Sequence, residues 1–373
     1  MVHKKTGLIV DTYFPAGKLT WMKNNIPEVA EGLENGTALM GTIDTYLIYR
    51  LTKGKVYATD HTNASRTLFY DIDALNWDRD LIGIFGLKLN ELPEIQESAC
   101  IFGETDLEGL SEKPLPIAGV MGDSQAALFA EHCYQPGMAK ITFGSGSSIL
   151  MNIGNTRAQS DNGIVNAVAW VLNGQPTYAF EGITNFTGAT ISWLTDQLQL
   201  INNPAESEEL AQSVPDNSGV YFVPAFVGLG APYWKADAKG AIIGLTPGVK
   251  KEHIVRAALE GIGFTVTDVL KVMESEAGIP LTQLCADGGA VRNRFLMQFV
   301  ADINHRDLLV SLLPELSALG AVFSGGLATG VYRNTDDVQA INSGVIEYHP
   351  QLAIDSVEKL YAGWNQAIKK VLL

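Results

Sequence analysis

The sequence predicts an α/β protein, with a mainly helical first third followed by a core where short strands alternate with longer helices. Three observations lead there. Apolar residues recur at helical spacing early in the chain, and runs of strand-forming residues begin near residue 115. Glycine is also in surplus: 37 of 373 residues, about one in ten against an average near ~7%, which implies many tight turns. At roughly 150 residues per domain, this length suggests two domains. The change of texture puts their boundary near residues 122–136, so the expected units are residues 1–130 and 131–373.

In chain order, Ile43, Leu47 and Leu51 fall at i, i+4 and i+8, and Gly54 follows where a helix would stop. Strands are expected at 115–120, 139–143, 147–153, 164–171 and 177–181. Asn173-Gly174 separates the last two and signals a hairpin. Helical patterns return after residue 184, with strands at about 220–223, 284–286 and 307–310 between them.

Charge and cysteine content exclude several classes. The 26 basic and 41 acidic residues leave a net charge of −15, which argues against a nucleic-acid surface. An anionic nucleotide stays admissible, because a metal ion and helix N-termini reverse the field locally. Cys100, Cys133 and Cys285 are odd in number and far apart, so they suggest neither a disulfide framework nor a CxxC metal site, and they fit a reducing compartment. The six histidines are scattered and suggest no zinc site. No apolar run approaches the ~18 residues of a membrane span, and the first residues lack the apolar centre of a signal peptide. A cytoplasmic protein is expected.

Three stretches could carry chemistry, each with a plainer reading beside it. In LPIAGVMGDSQAALFA an apolar run meets Gly122-Asp123 and a helix. Asp123 is either a helix N-cap or a carboxylate at a strand end facing a crevice, placed to accept a hydroxyl proton. In AKITFGSGSSILM, Gly144-Ser145-Gly146 joins two strands. It reads as an ordinary hairpin turn or as a phosphate cradle of backbone amides plus a hydroxyl; it is not a Walker A loop. In LCADGGAVRNRFLMQF a strand meets Gly288-Gly289 and a helix bearing Asn293 in its first turn. That is either a plain strand–turn–helix or a flat backbone surface for a base; the dinucleotide fingerprint is not met. Tyr13 is a half-buried aromatic or the wall of a small polyol pocket, and the aromatic run 221–234 reads as core packing.

Taken together and in this order, these stretches resemble the FGGY carbohydrate kinases, above all the members that phosphorylate glycerol. YFPAGKLTWMKNN, GTIDTYLIYRLTKGKVYATDHTNASRTLFYDI and GLGAPYW followed by GAIIGLTPGVKKEHIVRAALE carry the resemblance, which runs from about residue 6 nearly to the C-terminus. It implies two RNase H-like domains of the actin/Hsp70/sugar-kinase type, with residues 131–373 as the nucleotide-binding one. It further implies ATP and Mg²⁺ as cofactors and transfer of phosphate to a small polyol, glycerol first. A homo-oligomer, dimer or tetramer, comes with it.

The same resemblance implies Asp123 as general base, and Tyr13, Asp123 and Ser124 around the polyol. Gly144, Ser145, Gly146, Gly188, Gly288, Gly289 and Asn293 fall on the nucleotide. There are departures. The family opens with an Asp-Gly-Thr-type phosphate loop, and the arginine, glutamate and tryptophan that grip glycerol lie in the same early part; this chain starts after it. Ser148 replaces a phenylalanine, Ser124 and Ser192 stand where glutamines are common, and LEGLSEKPLP replaces a regulatory loop. The alternatives are therefore a kinase for another sugar or polyol, or a non-catalytic nucleotide-binding protein.

Overall fold

The computed structural model describes residues 1–88, 92–160, 162–341 and 344–373. Its first third holds helices α1 (Pro15–Asn25), α2 (Pro27–Asn35), α3 (Ile43–Leu51) and the one-turn α4 (His61–Ala64). Proline at the first position opens α1 and α2, where a missing N–H costs nothing. The region is less purely helical than its periodicity suggests. Strand β1 (Ala58–Asp60) pairs parallel with β2 (Glu94–Gln96), and β3 (Ile101–Thr105) pairs antiparallel with β4 (Leu115–Ala118).

Strand β4 corrects one expectation. The apolar run before Asp123 joins this small ribbon and not the large sheet, so Asp123 does not sit at a strand end of an open sheet. The reason is local: Pro116 cannot donate to a ladder, and Leu115 and Pro116 are exposed, which confines the strand to an edge.

Helix α5 (Asp123–Ala130) leads into a seven-stranded sheet. Its strands are β5 (Met138–Phe143), β6 (Ser147–Gly154), β7 (Val165–Leu172), β8 (Gln175–Thr184), and, beyond helix α6 (Gly188–Asp196), β11 (Gln283–Asp287), β12 (Leu308–Ser311) and β13 (Val345–Tyr348); β9 (Tyr221–Val223) and β10 (Ala241–Ile243) form a separate ribbon. The order across the sheet is β13-β12-β11-β5-β6-β8-β7, with β12, β11 and β5 parallel and the remaining pairs antiparallel. Strands β5 to β8 are almost continuously buried, as strands covered on both faces should be.

The Asn173-Gly174 pair forms the expected hairpin, with positive φ at both residues (52° and 74°), and its two amides donate to the Glu97 carboxylate at 2.8 and 2.7 Å. Helix α7 (Lys251–Ala277) spans 27 residues, roughly 40 Å at the α-helical rise, and fills the core between the sheet and α8 (Arg294–Asn304). Phe222 and Phe226, from the aromatic run, pack with Trp193 as core.

Helix α9 (Leu316–Ala328) crosses α5 at backbone contact: a Cβ on Gly320 would collide with the Ala126 carbonyl. A second contact sets Gly325 against Ala118 and Gly119. The C-terminal helix α10 (Ile354–Leu372) is anchored through the buried Asp268 carboxylate, to which Trp364 Nε1 and Tyr233 Oη each donate at 2.8 Å. Among the described residues no helix is long and apolar enough to cross a membrane.

Candidate active site

Strands β5 and β11 run side by side in parallel, and their carboxyl ends carry the two glycine turns singled out in the sequence. At the end of β5 the Phe143–Ser147 pair closes the hairpin, with Gly144-Ser145-Gly146 as its loop. The hairpin turn is as expected. The loop turns its carbonyls onto the start of α6: Gly188 N–H donates to Gly144 O and Ala189 N–H to Ser145 O, both at 3.0 Å. Gly188 is required by this docking, because a Cβ would lie 2.8 Å from Gly144 O. Among the described residues the Ser145 and Gly146 amides donate to no carbonyl, and Gly144 and Ser145 are exposed. Unspent amides beside a hydroxyl on an exposed turn suit an anion.

At the end of β11, Gly288 has φ 95° and ψ −179°, a region open essentially to glycine. Its backbone lies flush on Phe143, whose carbonyl oxygen would be 2.5 Å from an added Cβ. The neighbouring Gly289 lines a cavity of about 660 Å³ together with Ala290, Asn293, Ile191 and Pro204, a volume suited to a nucleotide base and sugar. Asn293 lies just ahead of α8 as its N-cap, not within the first turn: its Oδ1 accepts from Leu296 N–H at 2.9 Å and its Nδ2 donates to Ser207 Oγ at 3.1 Å. Its amide is therefore occupied in shaping the cavity wall.

Asp123 is the first residue of α5; Gly122 takes the N-cap position, and the Asp123 carboxylate makes no cap bond. Among the described residues it accepts only the Ser124 N–H, at 2.7 Å, and it is exposed. The N-cap reading thus fails, and the carboxylate is left free at the positive end of a helix. Ser124 Oγ lies 3.5 Å from Ser148 Oγ, the second residue after the glycine loop, which brings Asp123 beside the hairpin. Tyr13 is 63% exposed, and among the described residues no hydrogen bond ties its hydroxyl to Asp123 or the glycine turns. Its neighbour Phe14 stacks under Arg66, 5.2 Å from ring centre to guanidinium, and Arg66 pairs with Glu181 of β8 at 2.6 Å.

The sequence reading missed what holds Asp123. The buried Asp60 caps α4, accepting from Thr62 N and Asn63 N at 3.0 Å each and from Ser98 Oγ at 2.6 Å. Burial pushes the Asp60 carboxyl above its ordinary range, while these donors pull it back. Thr62 Oγ1 donates to Asp60 and accepts the Gly122 N–H at 2.7 Å, fixing the turn that launches Asp123. A local signal exists for it: aspartate ahead of Thr-Asn in ATDHTNAS is an N-cap pattern. Thr62→Val should leave the Gly122 amide unpaired, cost about 1–3 kcal/mol in urea unfolding, and lower kcat more than it raises KM. Thr62→Ser, which keeps the hydroxyl, should restore both.

Comparison with known proteins adds a family frame. Residues 1–130 match the FGGY family of carbohydrate kinases, N-terminal domain, and residues 139–329 match the C-terminal domain of the same family. A glycerol kinase of Desulfitobacterium hafniense is 45% identical over 372 residues, covering 100% of this chain and 75% of the relative. One of Shewanella frigidimarina is 44% identical over 371 residues, covering 100% and 74%. Among solved structures, Plasmodium falciparum glycerol kinase with ADP superposes with a TM-score of 0.96 at 36% identity, covering 100% of this chain and 74% of that one. A xylulose kinase from Rhodospirillum rubrum reaches 0.87 at 23% identity, covering 99% and 74%, a likeness of fold alone.

Proposed function

The chain belongs to the FGGY family of carbohydrate kinases, and from that membership we propose that it phosphorylates glycerol at a primary hydroxyl with ATP as donor. The observation that carries the reading is the free Asp123 carboxylate beside a glycine hairpin with unspent amides. ATP, when bound, supplies the phosphoryl group, with Mg²⁺ carried on its phosphate oxygens.

This chain's residues do the rest. The Ser145 and Gly146 amides hold phosphate oxygens, and Gly188 keeps their loop seated on α6. Gly289 gives the flat floor of the base cavity and Asn293 its wall, while Gly288 seats the turn that carries them on Phe143. Asp123 accepts the proton of the attacking hydroxyl, Ser124 lies against the polyol, and Tyr13 closes its outer side. A homo-oligomer is the assembly expected, to be read by light scattering.

A specific observation favours a second reading. Ser148 puts a hydroxyl 3.5 Å from that of Ser124, where the resemblance to the glycerol-phosphorylating members implies an apolar phenylalanine. The test is ADP release from Mg-ATP with glycerol, erythritol, xylitol and a pentulose. Highest kcat/KM with glycerol supports the proposal. Preference for a longer substrate favours the second reading, and nucleotide binding without turnover on any of them overturns both.

A further inference from the structure

Behind the candidate active site, the far end of α5 and the middle of β11 bring together two cysteines that are 152 positions apart in the sequence (285 minus 133). Cys133 and Cys285 each lie with Sγ 3.8 Å from the same backbone oxygen, that of Glu131. One donor atom from each of Glu131, Cys133 and Cys285 lies within 4.8 Å of the others. All three residues are buried: Cys133 is fully enclosed, Cys285 is 3% exposed and Glu131 8%. Both Glu131 carboxylate oxygens are shut away from solvent without a hydrogen-bond partner. A buried carboxyl left in that condition is costly and demands an explanation.

We propose that Glu131, Cys133 and Cys285 form a three-ligand site for a thiophilic divalent cation, zinc in the first place. Two thiolates and a carboxylate are a donor set that zinc accepts, leaving a fourth position for water. The water has a route, since a cavity of about 270 Å³ is lined by Glu131, His132, Met138, Cys285 and Ser311. The outer shell is in place too. Gln283 Nε2 donates to Cys285 Sγ at 3.3 Å, and the buried Lys140, beside Cys285 in the sheet register, donates to Thr142 Oγ1 at 2.7 Å.

Charge supports the assignment. A dication with three anionic ligands carries one net negative charge, which the Lys140 ammonium offsets. The ion would tie the end of the helix that starts at Asp123 to the strand that ends at the Gly288 turn.

The reduced, chelator-stripped chain titrated with Co²⁺ should bind one ion and develop a thiolate-to-cobalt charge-transfer band, which Zn²⁺ then abolishes. Cys285→Ser and Glu131→Gln should each weaken Co²⁺ binding by at least about 100-fold, the upper reach of losing even an outer-shell partner. Cys100→Ser, remote from the cluster, should leave the band intact. Zinc should raise the Tm of the parent chain and leave that of Cys285→Ser unmoved. A parent chain without the band, or a band indifferent to both ligand substitutions, overturns the site. The parent's own spectrum decides this even if a variant fails to fold.

Discussion

Asp123→Asn should lower kcat for phosphoryl transfer by about 10²- to 10⁴-fold, the range lost with a positioned base, while nucleotide binding measured by calorimetry stays essentially unchanged. The structure separates the two effects. Among the described residues the carboxylate has one partner, the Ser124 amide at 2.7 Å, and asparagine can accept that bond through Oδ1. The turn itself is held from outside, by Thr62 on Gly122, so the substitution leaves the backbone in place. The proposed nucleotide side rests on different elements, the β5–β6 loop and the Gly288 turn. What changes is the ability to take a proton. A variant that keeps more than half of the parent kcat would remove Asp123 from the role.

Gly288→Ala should weaken ATP binding by at least about tenfold and lower the urea midpoint without altering the slope. Two costs coincide at this residue. Its φ and ψ belong to a region that side-chain-bearing residues enter at about 1–3 kcal/mol. The added methyl would also meet Phe143 backbone atoms at 2.5–2.9 Å, and overpacking of that kind adds about 1–3 kcal/mol. Relief comes only by parting the ends of β5 and β11, which moves the Gly144–Gly146 loop away from the base cavity. Gly289→Ala is the control: nothing lies within 4 Å of where its methyl would sit, so it should retain the parent's midpoint. Equal midpoints for the two variants would show that the close approach carries no weight.

Short-range features are readable in the sequence. The Asn173-Gly174 hairpin, the glycine loop between β5 and β6 and the strand ahead of Gly288 each declare themselves within a dozen residues, through turn chemistry and alternation. Strand partners do not. The run 115–118 looks as buried as 139–143, yet it pairs with 101–105 outside the large sheet, because pairing depends on distant neighbours that no local window contains. The site divides in the same way. Asp123 and the glycines can be picked out by type and context, whereas the Thr62 hydroxyl reaches Gly122 across 60 positions. Glu131, Cys133 and Cys285 form a cluster only once the turn after α5 meets β11. Asn293 is recognisable by its place after the glycine pair, but its capping bond depends on the helix starting one residue later than its pattern implies.

The crossing of α5 and α9 bears on motion. Where Gly320 rests on Ala126, and Gly325 on Ala118 and Gly119, backbone meets backbone. Two contact points five residues apart on α9, roughly 7.5 Å at the helical rise, define an axle instead of a single pivot. Asp123 sits three residues from one bearing of that axle. Any rotation about that line would displace atoms in proportion to their distance from it, and would therefore move the Asp123 carboxylate little.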